Sequence, residues 1–254
     1  SNFEENISDT EKLAGLSLLW AEVKQGFVYF DQVPDLNWDE TYKSYIPKVL
    51  DTSSTFEYYK ELTRMVSLLN DGHTNVYYPK DLYEKAYARP PLSTKLVDGK
   101  VLVTAIYSNS LSLMGINVGD EILKIDGTDV HEYAKRNVLP FQSSSTSQDL
   151  EIRTYTYGLL SGDKQKTIDL LFRNKEGNSK TIEVRRGQYG DESYPATHDF
   201  SVLVGKYAYF KTNSFGSNEA AEFFESNLEN LKKLDGLVID IRSNGGGSSN
   251  VGYR

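Results

Sequence analysis

Apolar positions along the chain fall first at helical spacing, then at strand spacing, and finally at both. Leu13, Leu16, Trp20, Val23 and Phe27 recur every three or four residues and so share one helix face. Ser8 with Glu11 is a capping-box start for that helix. A second helix is predicted after Asn37, with Trp38, Tyr45 and Val49 inward and Pro47 expected to end or kink it. A third is predicted from Ser54, capped with Glu57, its stripe formed by Phe56, Tyr59, Leu62, Val66 and Leu69. Asn70-Asp71-Gly72 is a turn signal that stops it. Residues 1–85 therefore read as a helical bundle.

The period then changes. Residues 100–106 read as a strand, and residues 119–130 as a strand, a tight turn at Asp126-Gly127 and a short return strand. Residues 143–162 open as a Ser/Thr-rich loop, and 149–160 suit a helix. Residues 167–173 and 179–185 alternate apolar and polar around Lys175-Glu176-Gly177-Asn178, which predicts a hairpin. Residues 86–188 form a β-rich domain of ordinary size on this reading. The polar stretch 188–198, with Gly190 and Pro195, is expected to be a linker.

In the last region, residues 206–211 read as a strand. Ala220, Phe223, Phe224, Leu228 and Leu231 form a helical stripe, and "GLVIDI" at 236–241 has the continuous apolar pattern of a strand buried on both faces. Strand, helix, strand is a crossover unit. A lone crossover covers only part of its sheet, so residues 198–254 are expected to be the first part of an α/β domain that continues past Arg254. The fold class is thus α+β and multidomain.

Composition narrows the chemistry. The 254 residues are 39% hydrophobic and 25% charged, an ordinary globular balance. There is no cysteine, which excludes disulfides, thiolate zinc sites and a cysteine nucleophile. The net charge of −8 argues against a nucleic-acid partner, which requires clustered Lys/Arg. No apolar run reaches the roughly 20 residues of a membrane span, and no signal peptide is visible. Ser1-Asn2 is a candidate cloning remnant.

Three stretches carry candidate chemistry. Gly245-Gly246-Gly247 follows a strand, and glycines let backbone N–H groups line a concavity. A phosphate cradle, an oxyanion hole and a ligand-free tight turn all use that geometry. The phosphate fingerprints fail: no Gly-Lys-Ser/Thr follows, and the third glycine of a dinucleotide motif falls on Asn250. Asp240 and Arg242 lie two apart on one strand side, the spacing of a structural ion pair that braces the turn. His73 sits in "LLNDGHTNVYYP" beside Asp71 and Thr74, as a general base or as a helix C-terminal cap. No spacing among the three histidines resembles a metal site, and no cofactor is implied.

In this order the motifs resemble the C-terminal processing (tail-specific) protease and tricorn-core serine peptidase family. Asp71-Gly72-His73-Thr74 matches its Asp-x-His-Thr turn. Residues 119–130 match a PDZ hallmark, Gly-Asp-x-Ile-Leu-x-Ile-Asp/Asn-Gly-x-x-Val. Residues 240–247 match its Asp-x-Arg-x-Asn-x-Gly-Gly strand and turn. The resemblance implies a helical N-terminal region, a PDZ-like domain and the first part of a crotonase-like peptidase domain.

It also implies one oxyanion donor in the glycine turn, with Gly246 the best match and Gly247 next; Asp240 and Arg242 keep their role of structural support. His73 is a possible general base, and the nucleophilic serine is expected beyond residue 254. Where tricorn-like relatives place a serine before the histidine, this chain has Gly72. Ser248 and Ser249 read as turn and helix-start residues. The expected activity is hydrolysis of protein or peptide substrates outside the cytoplasm, in the periplasm or at the cell surface, with the 254-residue fragment itself inactive. The peptide-binding residues and the oligomeric state are left open: residues 108–116 lack a Gly-Leu-Gly-Phe-type carboxylate loop. The competing readings are a non-catalytic binding protein on the same fold and a PDZ adaptor.

Overall fold

The computed structural model describes residues 5–204 and 206–253. The candidate remnant Ser1-Asn2 lies outside them, as do Gly205 and Arg254. The chain divides into two compact units, residues 1–192 and 193–254.

The first unit opens with α1 (Asp9–Gly26), α2 (Trp38–Leu50) and α3 (Thr55–Ser67). Ser8 and Glu11 make the capping box, and Ser54 accepts from the Glu57 N–H at 3.2 Å. Leu16, Val23, Trp38, Tyr45 and Val49 are buried between the helices, with Trp20 and Phe27 packed against them. Lys12 is buried as well. Its ammonium donates to the Thr52 carbonyl at 2.8 Å, just past the end of α2, where carbonyls lack helical donors.

Two expectations are corrected here. Pro47 does not end α2, which runs one turn further, with the Asp51 N–H on the Pro47 carbonyl at 3.0 Å. Pro47 and Lys43 are both exposed, so water can solvate the carbonyl that the proline ring deprives of a donor. The buried ridge of α3 is Tyr58, Leu62, Met65 and Val66, continued by Leu69 in the turn that follows. Phe56 and Tyr59 are only half-buried, because they stack on Tyr78 at 5.6 and 5.9 Å between ring centroids.

A short helix, α4 (Tyr83–Ala86), leads into a six-stranded sheet. Its elements are β1 (Leu92–Val97), β2 (Lys100–Ile106), α5 (Asn109–Leu113), β3 (Glu121–Ile125), β4 (Thr128–Asp129), α6 (Val130–Asn137), α7 (Ser147–Ile152), β5 (Thr167–Arg173) and β6 (Ser179–Arg185). A π-helical turn, Arg153–Gly158, continues α7. Strand order is β1-β2-β3-β5-β6, antiparallel throughout, with β4 paired to β3.

Asp126-Gly127 is the tight turn expected, both residues at positive φ, with Ile125 opposite Thr128. A second such turn at Asp98-Gly99 creates β1, which the sequence pattern did not reveal. The core beneath the sheet holds Val101, Ile122, Ile125, Ile168 and Leu170, all at 1% exposure or less. The helical and β-rich parts are joined by Ser67, whose hydroxyl donates to the Pro140 carbonyl at 2.9 Å, and by the Lys164–Glu84 pair.

The second unit is a three-stranded sheet, β7 (His198–Leu203), β8 (Tyr207–Thr212) and β9 (Gly236–Asp240), with α8 (Glu219–Ser226), α9 (Leu228–Leu231) and α10 (Ser249–Tyr253). β8 pairs parallel with β9 across the helical crossover, and antiparallel with β7. β7 starts at His198, where only the end of a linker was expected.

The apolar strand is not buried on both faces: Leu237, Val238 and Ile239 are 40 to 55% exposed. β9 is an edge strand; the apolar packing of this unit gathers on β8, where Phe223 and Phe224 of α8 meet the buried Phe210, and in a small cluster of Ala220, Ala221, Val251 and Phe215. Leu228 is also exposed, because Asn227 separates α8 from α9 and breaks the stripe.

Candidate active site

The turn after β9 is built by backbone bonding to the segment after β8. The Gly245 N–H donates to the Asn213 carbonyl at 3.1 Å. The Phe215 N–H donates to the Gly246 carbonyl at 2.8 Å, and the Ser248 N–H to the Phe215 carbonyl at 2.9 Å. These last two bonds form a parallel bridge between Phe215 and Gly247. In such a bridge the central residue's own N–H and C=O point away from the partner.

Asn244 ties the turn from inside. Its amide donates to the Thr212 carbonyl at 3.2 Å, and its oxygen accepts from the Gly246 N–H at 2.8 Å. Among the described residues the Gly247 N–H has no acceptor. Gly246, Gly247, Ser248, Ser249 and Phe215 line a cleft of about 360 Å³.

Only glycine fits position 247. Its φ is +138°, and a Cβ there would overlap the Phe215 carbonyl group. Gly246 is also at positive φ, +98°, but with open space around it.

Asp240 and Arg242 pair directly, Nε to Oδ1 at 2.9 Å and Nη2 to Oδ2 at 2.7 Å. The Tyr209 hydroxyl donates to the same carboxylate at 2.5 Å, and the Arg242 N–H at 3.0 Å. Asp240 is buried while the Arg242 side chain is 86% exposed. The guanidinium, then the tyrosine and backbone donors, hold the Asp240 carboxyl well below the usual carboxylate range. The same carboxylate pushes the Tyr209 phenol up.

His73 belongs to the other unit. It is exposed, in the turn that follows α3. The Thr74 hydroxyl donates to Asp71 Oδ2 at 2.6 Å, and the Asn75 amide to the Gly72 carbonyl at 3.1 Å. The turn is also held from α7 and the loop before it. The Asp71 N–H donates to Ser143 Oγ at 3.0 Å, and Arg153 Nη2 to the Gly72 carbonyl at 3.2 Å. Arg153 Nε bonds Asp149 Oδ2 at 2.6 Å, and Ser144 Oγ reaches the same oxygen at 2.6 Å.

Sequence reasoning missed Ser143, Ser144, Asp149 and Arg153. The one available signal was the i,i+4 spacing of Asp149 and Arg153 on a predicted helix. Nothing in the pattern links them to a turn 81 residues away.

The other histidines make local bonds. His131 contacts the Tyr155 hydroxyl and the Gly99 carbonyl, each at 3.0 Å, and His198 contacts Thr212 Oγ1 at 3.0 Å. Among the described residues no three His, Cys, Asp or Glu side chains are grouped as metal ligands, and no helix is long and apolar enough to cross a membrane.

Residues 108–116 already hold a carboxylate, the chain's own. Asp191 accepts from Ser108 Oγ at 2.6 Å and from the Ser110 N–H at 2.7 Å. These bonds, the Ser108 hydroxyl first, hold its carboxyl low.

Two regions match known families. Residues 86–194 match the PDZ domain profile. Residues 206–253 match the profile of peptidase family S41. The two matches follow one another along the chain, the PDZ profile first and the S41 peptidase profile after it.

Mature CPAF complexed with lactacystin is similar in structure, with TM-score 0.65 and 16% identity over 96% of this chain and 58% of that one. A second structure of mature CPAF gives TM-score 0.62 and 16% identity over 94% and 56%. The photosystem II D1 C-terminal processing protease gives TM-score 0.45 and 19% identity over 95% and 63%. The chain thus spans less than two thirds of the length of these neighbours. No curated protein matches the sequence.

Two outcomes are expected. Gly247→Ala should destabilise residues 193–254 by about 2 kcal/mol or more, through both φ and overlap, while Gly245→Ala, with no atom near its Cβ and no positive φ, should be tolerated. Limited proteolysis of the two variants checks the contrast.

Asp240 is depressed when folded, so its stabilisation is fully present above the ordinary carboxylate pKa of about 4 and is lost as pH falls toward the depressed value. Acid unfolding of residues 193–254 should therefore be less steep in Asp240→Asn. An unchanged pH dependence would contradict the assignment.

Proposed function

We propose that the chain is the N-terminal portion of a serine endopeptidase of the tail-specific class, hydrolysing peptide bonds in protein or peptide substrates. The observation that carries this reading is the Gly247 N–H, which has no acceptor among the described residues, in a turn whose strand and glycines fall within the S41 match. Such a donor, fixed before substrate arrives, stabilises charge developing on an attacked carbonyl oxygen.

The arrangement favours Gly247 over Gly246 as the donor, because the Gly246 N–H is spent on Asn244. Asp240 and Arg242 brace the strand end rather than touch substrate. His73 is the candidate general base.

No nucleophile is assigned within residues 1–254. The Ser248 N–H is part of the bridge to Phe215, and Ser249 opens α10, so both serve as turn and helix-start residues. The PDZ domain supports a peptide partner. The Ser108 and Ser110 donors are taken up by Asp191, which argues against them as the domain's carboxylate site. An extracytoplasmic location, periplasmic or at the cell surface, is part of the proposal and rests on the family likeness.

A fluorophosphonate probe that reacts with activated serines tests the reading. The gene product at full length is expected to label and to cleave peptides, and the 254-residue chain to do neither. Absence of labelling in the folded full-length protein would favour a non-catalytic binding protein. Labelling of the 254-residue chain that is lost in Ser248→Ala would place the nucleophile in the turn and overturn the assignment.

A further inference from the structure

The His73 turn does not stand alone. The Arg153 guanidinium bonds the Gly72 carbonyl at 3.2 Å with one nitrogen and Asp149 at 2.6 Å with another. A Cβ on residue 72 would sit 3.1 Å from Arg153 Nη2 and 3.5 Å from Asp149 Oδ2. The ion pair therefore occupies the space that a side chain preceding His73 would enter. Ser144 fixes the carboxylate from behind at 2.6 Å, and Ser143 anchors the Asp71 N–H at 3.0 Å. Arg153 opens the π-helical turn, a local widening that is often found at functional sites.

We propose that Asp149 and Arg153 are positioning residues for His73: Arg153 fixes the turn through the Gly72 carbonyl, and Asp149 holds Arg153 and places a negative charge whose field reaches the imidazole. The inference rests on the reading of His73 as a general base. Without a neighbouring serine, the support for the histidine comes from the helix after the 143–146 loop. The electrostatics agree. Burial pushes the Asp149 carboxyl up, but the Ser144 and Arg153 bonds and the charges of Arg153 and His73 outweigh it and hold the group low.

The test is the rate at which diethyl pyrocarbonate modifies His73 in the 254-residue chain at about pH 5.5, where an ordinary imidazole is mostly protonated and the neutral fraction responds to a small shift in either direction. Peptide mass spectrometry reads each histidine separately, with His131 and His198 as internal standards. Only the neutral ring reacts. Asp149→Asn removes a charge that favours the protonated ring, so His73 should react about twofold faster. Arg153→Gln removes the opposing charge and leaves Asp149 uncompensated, so His73 should react about twofold slower. Arg153→Lys, which keeps the charge, should stay closer to the unsubstituted rate than Arg153→Gln does.

Opposite shifts at His73, with both standards unchanged, are the expected result. No shift, shifts in the same direction, or acceleration of all three histidines together would overturn the proposal, since a merely structural role moves both variants the same way. The readout needs no hydrolysis. Failed serine labelling would leave this result standing, and an unmoved His73 would remove the positioning pair without touching the peptidase reading.

Discussion

A side chain at position 247 would collide with the Phe215 carbonyl, and the layout of the glycine turn follows from that contact. The two backbones approach closely enough to exchange bonds on either side of Gly247, through the Gly246 carbonyl and the Ser248 N–H. Once those bonds form, the Gly247 N–H must face the other way. Asn244 then fixes Gly246 from within, and the Asp240 carboxylate, gripped by Arg242 and Tyr209, holds the end of β9. A donor fixed in this manner costs no reorganisation when charge develops before it.

The same logic recurs around His73, with side chains in place of backbone. The histidine is exposed, yet the two residues before it are held: Asp71 by Ser143 and Gly72 by Arg153. Gly72 matters there for the room it leaves, which the Asp149–Arg153 pair fills. Arg153 takes part in two bonds that lie far apart in sequence. The β-rich part of the first unit thus does more than follow the helical part; it shapes a turn within it.

Much of this was legible in the sequence. The capping pairs at Ser8 and Ser54, the Asp126-Gly127 turn and the 167–185 hairpin depend on local chemistry, and local chemistry is written in adjacent residues. The glycine turn was legible as a site for the same reason, since three glycines after an apolar strand signal close backbone approach. The share of labour within it was not. Among the described residues, which of Gly246 and Gly247 keeps its N–H open depends on Asn244, whose side chain takes the Gly246 N–H, and on Phe215, whose bridge turns the Gly247 N–H away.

Burial was also misjudged where partners decide it. Phe56 and Tyr59 fit the apolar period but pack on Tyr78 and stay half-buried, whereas the exposure of residues 237–239 is what a crossover that covers only part of its sheet leaves. Pro47 shows the reverse: a strong local stop signal yields where the lost hydrogen bond faces water and Val49 beyond it is fully buried.

The central claim is that the bridge to Phe215 leaves Gly247 as the turn's open donor. Amide hydrogen exchange across residues 245–248, resolved by NMR, tests it most directly. The account predicts slowed exchange at Gly245, Gly246 and Ser248, whose N–H groups are bonded, and fast exchange at Gly247. Protection at Gly247 equal to that of its neighbours, or fast exchange at Ser248, would contradict it.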